Sequence, residues 1–156
     1  MMCCKLPRIE ELEKPPGHWC RHAVTGKGCG IYESRPQICR RFYCQWMLDP
    51  ELGPEWKPDK AKFVMSIDPS NEAVLKVTVD PAFPAAWTNP PFLAGIKDWV
   101  AREAKLGRLA IVQIGSRVRA ILPDRIVDLG TLESGFFLTR VRDPTGKTID
   151  VRVQRD

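Results

Sequence analysis

The chain has 156 residues and a mass of 17.7 kDa, which fits one domain, or one domain with a small appendage. Its apolar fraction of 44% supports a core and excludes wholesale disorder, and no stretch of 18 uncharged apolar residues predicts a transmembrane helix. The net charge of +5 is spread over both halves of the chain and does not by itself indicate a nucleic-acid partner.

The first element in the chain is a cysteine-rich segment. All six cysteines lie in it, and the rest of the chain has none; they are Cys3, Cys4, Cys20, Cys29, Cys39 and Cys44. Proline and glycine interrupt the same segment repeatedly, so residues 1–48 are predicted to form a small loop-rich module that cannot bury a large core. A bound metal would supply the missing folding free energy.

The spacing of these cysteines leaves three states open. A secreted chain would use six cysteines as a disulfide framework. Residues 1–12 lack the apolar stretch of a signal peptide, so we expect a cytoplasmic protein, in which structural disulfides are disfavoured. Thiolates are soft ligands that suit zinc or an iron–sulfur cluster. The gaps between the cysteines contain no CxxC knuckle, so metal binding, disulfides and unligated thiols remain alternatives at this point.

The stretch CGIYESRPQICRRFYC, from Cys29 to Cys44, resembles the C-x-I-Y-E-x-R-P-x-x-C-R-x-F-x-C signature of the YkgJ-like cysteine-cluster family. The resemblance covers residues 3–48 and implies a zinc- or iron-chelating domain with no assigned reaction. The family pattern also has an N-terminal C-x-x-C-x-x-C-C element, of which this chain carries only the last part, Cys3-Cys4. Either the native start lies upstream of Met1 or this member has lost ligands, so the number of metal ions stays open.

The resemblance implies a set of metal ligands. The candidate ligands are Cys20, Cys29, Cys39, Cys44, Cys4 and Cys3. The first four match the count of a tetrahedral zinc site or a four-thiolate cluster. His18 and His22 flank Cys20 and could supply a nitrogen ligand in place of Cys3 or Cys4; the alternative is that they are exposed loop histidines.

Other residues of the signature are expected to support this site. Arg35, Arg40 and Arg41 are expected to offset the negative charge of the thiolates and to donate hydrogen bonds to sulfur. A short helix is predicted over residues 36–42, because proline suits the first helical turn. Tyr32 and the phenylalanine of this helix are expected to pack over the site, or else to be ordinary core residues.

After a polar connector at residues 49–61, the remainder of the chain, residues 62–156, reads as an α+β unit packed on the module. Strands are predicted over residues 62–67 and 73–80, with a turn at residues 68–71 between them. A helix is predicted over residues 90–106, because its apolar positions form one stripe and a glycine follows it.

The last part of the chain alternates between predicted strands and turns. The run of residues 109–114 is apolar on both faces and is predicted to be a central strand. Further strands are predicted over residues 118–122, 126–129, 136–142 and 147–154. Together these elements predict an α+β fold in which an antiparallel sheet carries one main helix.

Arginines recur on the predicted strands and could form a basic face for RNA, DNA or an acidic protein. They are Arg117, Arg119, Arg140, Arg142, Arg152 and Arg155. Aspartates dilute this face and few aromatic residues accompany it, so a solvated sheet surface is the favoured interpretation and nucleic acid is a disfavoured partner.

Three functions follow from the sequence. The first is a metal-binding protein that coordinates zinc or an iron–sulfur cluster through the N-terminal thiolates. The second is a metal-dependent or redox enzyme that uses the same site, although no catalytic motif or catalytic residue is identified. The third is an interaction module, in which metal holds the fold and the basic sheet binds a partner. No membrane partner is expected, and any protein partner is left open.

Overall fold

The computed structural model describes residues 1–68, 71–132 and 136–155. Pro69 and Ser70, the centre of the predicted turn at residues 68–71, lie outside the described residues. The architecture confirms the α+β prediction: a loop-rich first segment precedes a five-stranded sheet that carries one main helix. In the part of the chain just defined, no helix combines the length and the apolar character needed to span a membrane.

The first segment contains only short elements. Two 3₁₀ turns, Met2–Cys4 and Glu10–Leu12, are followed by a small hairpin and then by short helices. The regular elements are β1 (Ala23–Val24), β2 (Gly28–Cys29), α1 (Gln37–Arg41), α2 (Gln45–Leu48) and α3 (Pro58–Ala61). The helix predicted over residues 36–42 is therefore present as α1, which begins directly after the proline that was expected to start it.

The central sheet is mixed. Its strands are β3 (Phe63–Asp68), β4 (Asn71–Val79), β5 (Leu109–Ile114), β6 (Arg117–Ile121) and β7 (Ile126–Thr131), in that spatial order. The predicted central strand, β5, is the middle strand. Strands β4 and β5 are parallel, whereas the sequence analysis expected an antiparallel sheet. The difference arises because helix α4 (Phe92–Glu103) crosses from the end of β4 back to the start of β5.

Helix α4 and a short 3₁₀ turn at Ala104–Leu106 together reproduce the predicted helix, and Gly107 ends it with a φ of +70°. The apolar stripe of α4 packs on one face of the sheet, where Ile96 and Val100 are buried. Two tryptophans, Trp56 and Trp87, complete this side of the core. The stripe is thus a core-facing surface, as its periodicity indicated.

A C-terminal hairpin covers the opposite face of the sheet. It consists of β8 (Phe136–Arg142) and β9 (Thr148–Arg155), which pair with each other but not with the central sheet. Leu138 and Val151 pack on a second apolar cluster that includes Leu109 and Ile111. The sheet is therefore buried on both faces, which accounts for the apolar, buried residues at the first four positions of its middle strand.

The first segment packs against the edge strand β3. Met2, Leu6 and Cys44 form a buried apolar cluster with Val64 of that strand, and we refer to these four residues as the apolar interface. The segment does not stand as a free module: it shares a core with the sheet, so its cysteines are positioned by the fold as well as by any metal.

Candidate functional site

Five of the six cysteines lie close enough for their charges to affect one another. The pKa of Cys4 is raised by its hydrogen bond to Cys3 and by burial, and then by the nearby charges of Cys29 and Cys20. Burial raises the pKa of Cys39, and the charges of Cys20 and Cys29 raise it further. We call these five residues, Cys3, Cys4, Cys20, Cys29 and Cys39, the thiol cluster.

The backbone brings the thiol cluster together from separate segments. The amide of Cys20 donates a hydrogen bond to the carbonyl oxygen of Cys4 at 2.8 Å, which ties the first 3₁₀ turn to the loop before β1. Cys29 ends β2, whose register places it opposite Ala23 of β1. Cys39 lies within α1. The cluster therefore depends on four stretches of chain: the first 3₁₀ turn, the loop before β1, the β1–β2 hairpin and α1.

The vicinal pair at the start of the cluster is polarised. The thiol of Cys4 donates a hydrogen bond to the sulfur of Cys3, and this bond lowers the pKa of Cys3 from 9.0 to about 6. Cys3 is exposed and Cys4 is half-buried. At neutral pH, Cys3 is thus in the thiolate form, which is the form that binds metals and attacks electrophiles.

Cys44 occupies a different environment. It lies at the start of α2 with 5% of its surface exposed, and it contributes to the apolar interface beside Val64. Buried cysteine in such surroundings behaves as a small apolar side chain. Cys44 therefore has apolar surroundings, whereas Cys3 is exposed and Cys29 and Cys39 are half-buried.

A buried lysine lies beside the thiol cluster, and the sequence analysis did not identify it. Lys14 is 5% exposed, and its Nζ donates hydrogen bonds to the carbonyl oxygens of Lys5, Pro7 and Pro15, the first at 2.8 Å and the last at 3.1 Å. Burial lowers the pKa of Lys14, and the charges of three thiols, Cys20, Cys4 and Cys39, oppose that effect.

Two of the three arginines that were expected to support the site, Arg35 and Arg40, donate hydrogen bonds to backbone carbonyl oxygens. Arg35 donates to the carbonyl oxygen of Tyr32 and stacks over its ring, with 3.7 Å between the guanidinium carbon and the ring centroid. Arg40 donates to the carbonyl oxygens of Glu33 and Arg35. These hydrogen bonds replace those to sulfur that the sequence analysis expected. Tyr32 is 58% exposed, so it does not cover the site as predicted.

The two histidines contribute little to the cluster. His18 is exposed, and its Nδ1 lies 3.1 Å from the carbonyl oxygen of Pro16. His22 is half-buried and its Nε2 accepts a weak hydrogen bond from Arg21 at 3.4 Å. For His18, the structure matches the alternative of an exposed loop histidine.

The thiols match a soft metal by donor type and location, but their geometry is that of free cysteines. All six are unpaired by disulfides. Across residues 1–68, 71–132 and 136–155, no three side chains of histidine, cysteine, aspartate or glutamate stand in the arrangement of a ready metal site. Coordination would require the sulfurs of the cluster to move closer together.

Three arginines of the predicted basic face contact groups within the fold. Arg117 and Arg119 both reach one carboxylate oxygen of Asp128, at 2.9 and 3.5 Å. Arg140 is half-buried and donates to the carbonyl oxygen of Gly107 at 2.7 Å. These three arginines are therefore engaged in contacts within the fold, and a partner for this face stays a prediction.

Comparison of the chain with protein-family models, with curated proteins and with solved structures found no match in any of the three. The chemistry of the site must be argued from its own residues.

Proposed function

We propose that the protein binds a thiolate-ligated metal, either a zinc ion or an iron–sulfur cluster, through the thiol cluster. The observation that carries this proposal is the convergence of five free cysteines, from four separate stretches of chain, to within the range of one another's charge. Convergence of acidic groups raises their pKa values and so disfavours the thiolate form unless a cation compensates the negative charge. A bound metal is that cation.

Within the cluster, we propose Cys4, Cys20, Cys29 and Cys39 as the ligands, with the exposed Cys3 as a fifth candidate. Four thiolates fit tetrahedral zinc or a four-cysteine cluster. Cys44 is assigned a structural role in the apolar interface, because its surroundings are methionine, leucine and valine side chains. Metal would draw the four sulfurs together and so stabilise the loops that carry them.

The abundance of free thiols also supports a reducing location, and we propose the cytoplasm. No reaction is proposed. When bound, a zinc ion would supply a structural crosslink or an exchangeable store of metal, whereas an iron–sulfur cluster would supply an electron carrier. The chain's own contribution is to hold the thiolates in place.

The test is metal analysis of protein that is purified anaerobically, combined with an absorbance spectrum. Zinc without visible absorbance, at about one ion per chain, would identify a zinc site. Iron and sulfide with a broad band near ~400 nm would identify a cluster. Protein that holds no metal after anaerobic reconstitution with either, and that titrates with all its thiols free, would overturn the proposal.

Two matched variants test the ligand assignment. Cys39→Ser is expected to lose most of the bound metal. Cys44→Ser is expected to keep the metal and to lose stability by about 1–3 kcal/mol, because it buries a hydroxyl in the apolar interface. Loss of metal from both variants alike, in protein that remains folded by circular dichroism, would return Cys44 to the ligand set.

A further inference from the structure

Lys14 is a buried cation whose hydrogen-bonding capacity is filled by neutral groups. An ammonium has three protons, and Nζ donates to three backbone carbonyl oxygens, those of Lys5, Pro7 and Pro15. None of the ion pairs among the described residues includes it. Its positive charge is therefore solvated by dipoles, without a carboxylate to neutralise it.

The three carbonyl groups belong to the two stretches of chain that carry the first thiols of the cluster. Lys5 and Pro7 follow Cys4 directly, and Pro15 precedes Cys20 by one short loop. The backbone closes the same loop with reciprocal hydrogen bonds between Ile9 and Lys14, both at 3.0 Å. Lys14 thus holds one side of the cluster in shape.

A buried charge without a counter-charge is costly, and removing its partner costs several kcal/mol in measured cases. The groups that can supply a counter-charge here are the thiols, because the charges of Cys20, Cys4 and Cys39 all act on Lys14. Four thiolates around a divalent ion carry a net charge of −2, and an adjacent ammonium offsets half of it.

We infer that Lys14 is a positioning residue of the metal site, which fixes a positive charge beside the thiolates and braces the loop that carries them. The inference rests on the proposed function. It assigns to Lys14 the charge compensation that the resemblance would give to Arg35 and Arg40, because Lys14 is buried whereas Arg35 is half-buried and Arg40 is exposed.

The experiment compares variants of the full chain for zinc affinity, measured anaerobically by competition with a chromophoric chelator. Lys14→Gln keeps hydrogen-bond donors and removes the charge, while Lys14→Arg keeps the charge. Lys27→Met is the matched control, because it removes one exposed lysine charge from the same segment. Thermal unfolding of each metal-free variant separates effects on the fold from effects on the metal.

Lys14→Gln is expected to weaken zinc binding about 10–100-fold, which is the usual effect of losing a group that supports metal ligands. Lys14→Arg is expected to recover much of that loss, and Lys27→Met to bind as the wild type does. Equal affinity of Lys14→Gln and Lys27→Met would overturn the inference. Equal losses in Lys14→Gln and Lys14→Arg would also overturn it, because the charge would then be irrelevant.

Two further outcomes keep the test decisive. If metal-free Lys14→Gln does not fold, its folding is titrated with zinc, since metal binding is coupled to folding. A higher zinc midpoint than in the wild type, corrected for the measured instability, supports the inference, and an unchanged midpoint refutes it. Failure of the wild-type protein to bind zinc or iron would refute the proposed function itself. This result is distinguishable from failure of the inference about Lys14, because it is seen before any variant is made.

Discussion

The ion pair between Lys5 and Asp80 joins the first segment to the sheet, and its removal tests how strongly the two depend on each other. Lys5 follows the vicinal cysteines, while Asp80 follows β4. Their charged atoms, Nζ and Oδ2, are 2.6 Å apart, and the side chains are only 17% and 4% exposed. The other carboxylate oxygen of Asp80 accepts the amide of Ala82 at 3.1 Å.

The expected loss of stability follows from the charge that each variant leaves unpaired. Lys5→Met leaves a carboxylate that is almost fully buried with one of its two oxygens deprived of its partner. Breaking a buried pair in this way costs about 3–5 kcal/mol. At about 2–4 °C per kcal/mol for a chain of this size, we expect the melting temperature to fall by roughly 6–20 °C.

The assay is thermal and urea unfolding of the metal-free protein under reducing conditions. Lys57→Met is the control, because its pair with Asp59 is longer, at 3.9 Å, and both side chains are 47% exposed. Such a pair contributes less than about 1 kcal/mol. Adding Asp80→Asn to Lys5→Met removes the orphaned charge, so the double variant should be more stable than Lys5→Met by about 1 kcal/mol or more. A loss no larger than that of the control, or additive losses in the double variant, would refute the reasoning.

Three other predictions concern single positions. Gly95→Ala should destabilise the fold by about 1–3 kcal/mol although alanine favours helices, because its Cβ would lie 2.7 Å from the Trp56 ring. Urea unfolding measures the change in stability, and a gain would contradict the prediction. Gly107→Ala should lower the free energy of unfolding more than Gly115→Ala does. Both glycines have a positive φ, but only at position 107 would the new Cβ meet another group, the Arg142 guanidinium at 3.0 Å. Equal losses of stability would contradict this contact. The rate at which Cys3 is alkylated in metal-free protein should rise with pH through a midpoint of about 6. The contribution of its lowered pKa to folding stability should be fully present above pH 9 and disappear as the pH falls from 9.0 to about 6. An alkylation midpoint near 9 would contradict the hydrogen bond that Cys4 donates to Cys3.

Much of the fold could be predicted because its signals are local. The stripe of α4 has helical spacing, and β5 is apolar on both faces because a helix covers one side and the C-terminal hairpin the other. The parallel pairing of β4 with β5 has no such signal, since it depends on a crossover between strands that are distant in the chain. The position of the hairpin outside the central sheet likewise depends on tertiary contacts. Among them are hydrogen bonds from Arg140 and Thr148 to the carbonyl oxygen of Gly107.

The site was predictable in composition and less so in detail. The grouping of the cysteines in one segment is visible in the sequence, and in the structure the charges of five of them act on one another, while metal binding stays a prediction. The roles of the individual cysteines could not be predicted from the sequence. Cys39 and Cys44 belong to one continuous motif, and yet of these two only Cys44 is buried in the apolar interface. Lys14 was missed because a lysine beside two prolines has no distinctive spacing, and its importance arises only when the chain folds back around it.

The parts of the thiol cluster are held to different degrees, which constrains how a metal could enter. Cys4 and Cys20 are tied together by a backbone hydrogen bond of 2.8 Å, whereas α1, which carries Cys39, is joined to an earlier part of the segment by an amide–carboxylate contact of 3.4 Å between Ile38 and Glu11. Closing the sulfurs on a metal would therefore draw α1 toward the more firmly held pair.

That movement is limited at the far end of α1. Cys44 lies three residues beyond this helix and is buried against β3, so α1 can only pivot about an anchored end. The apolar interface and the Lys5–Asp80 pair would thus support the proposed metal site, since both hold the frame on which the proposed ligands would close. Lys5→Met should consequently weaken zinc binding as well as folding, although neither Lys5 nor Asp80 is a proposed ligand.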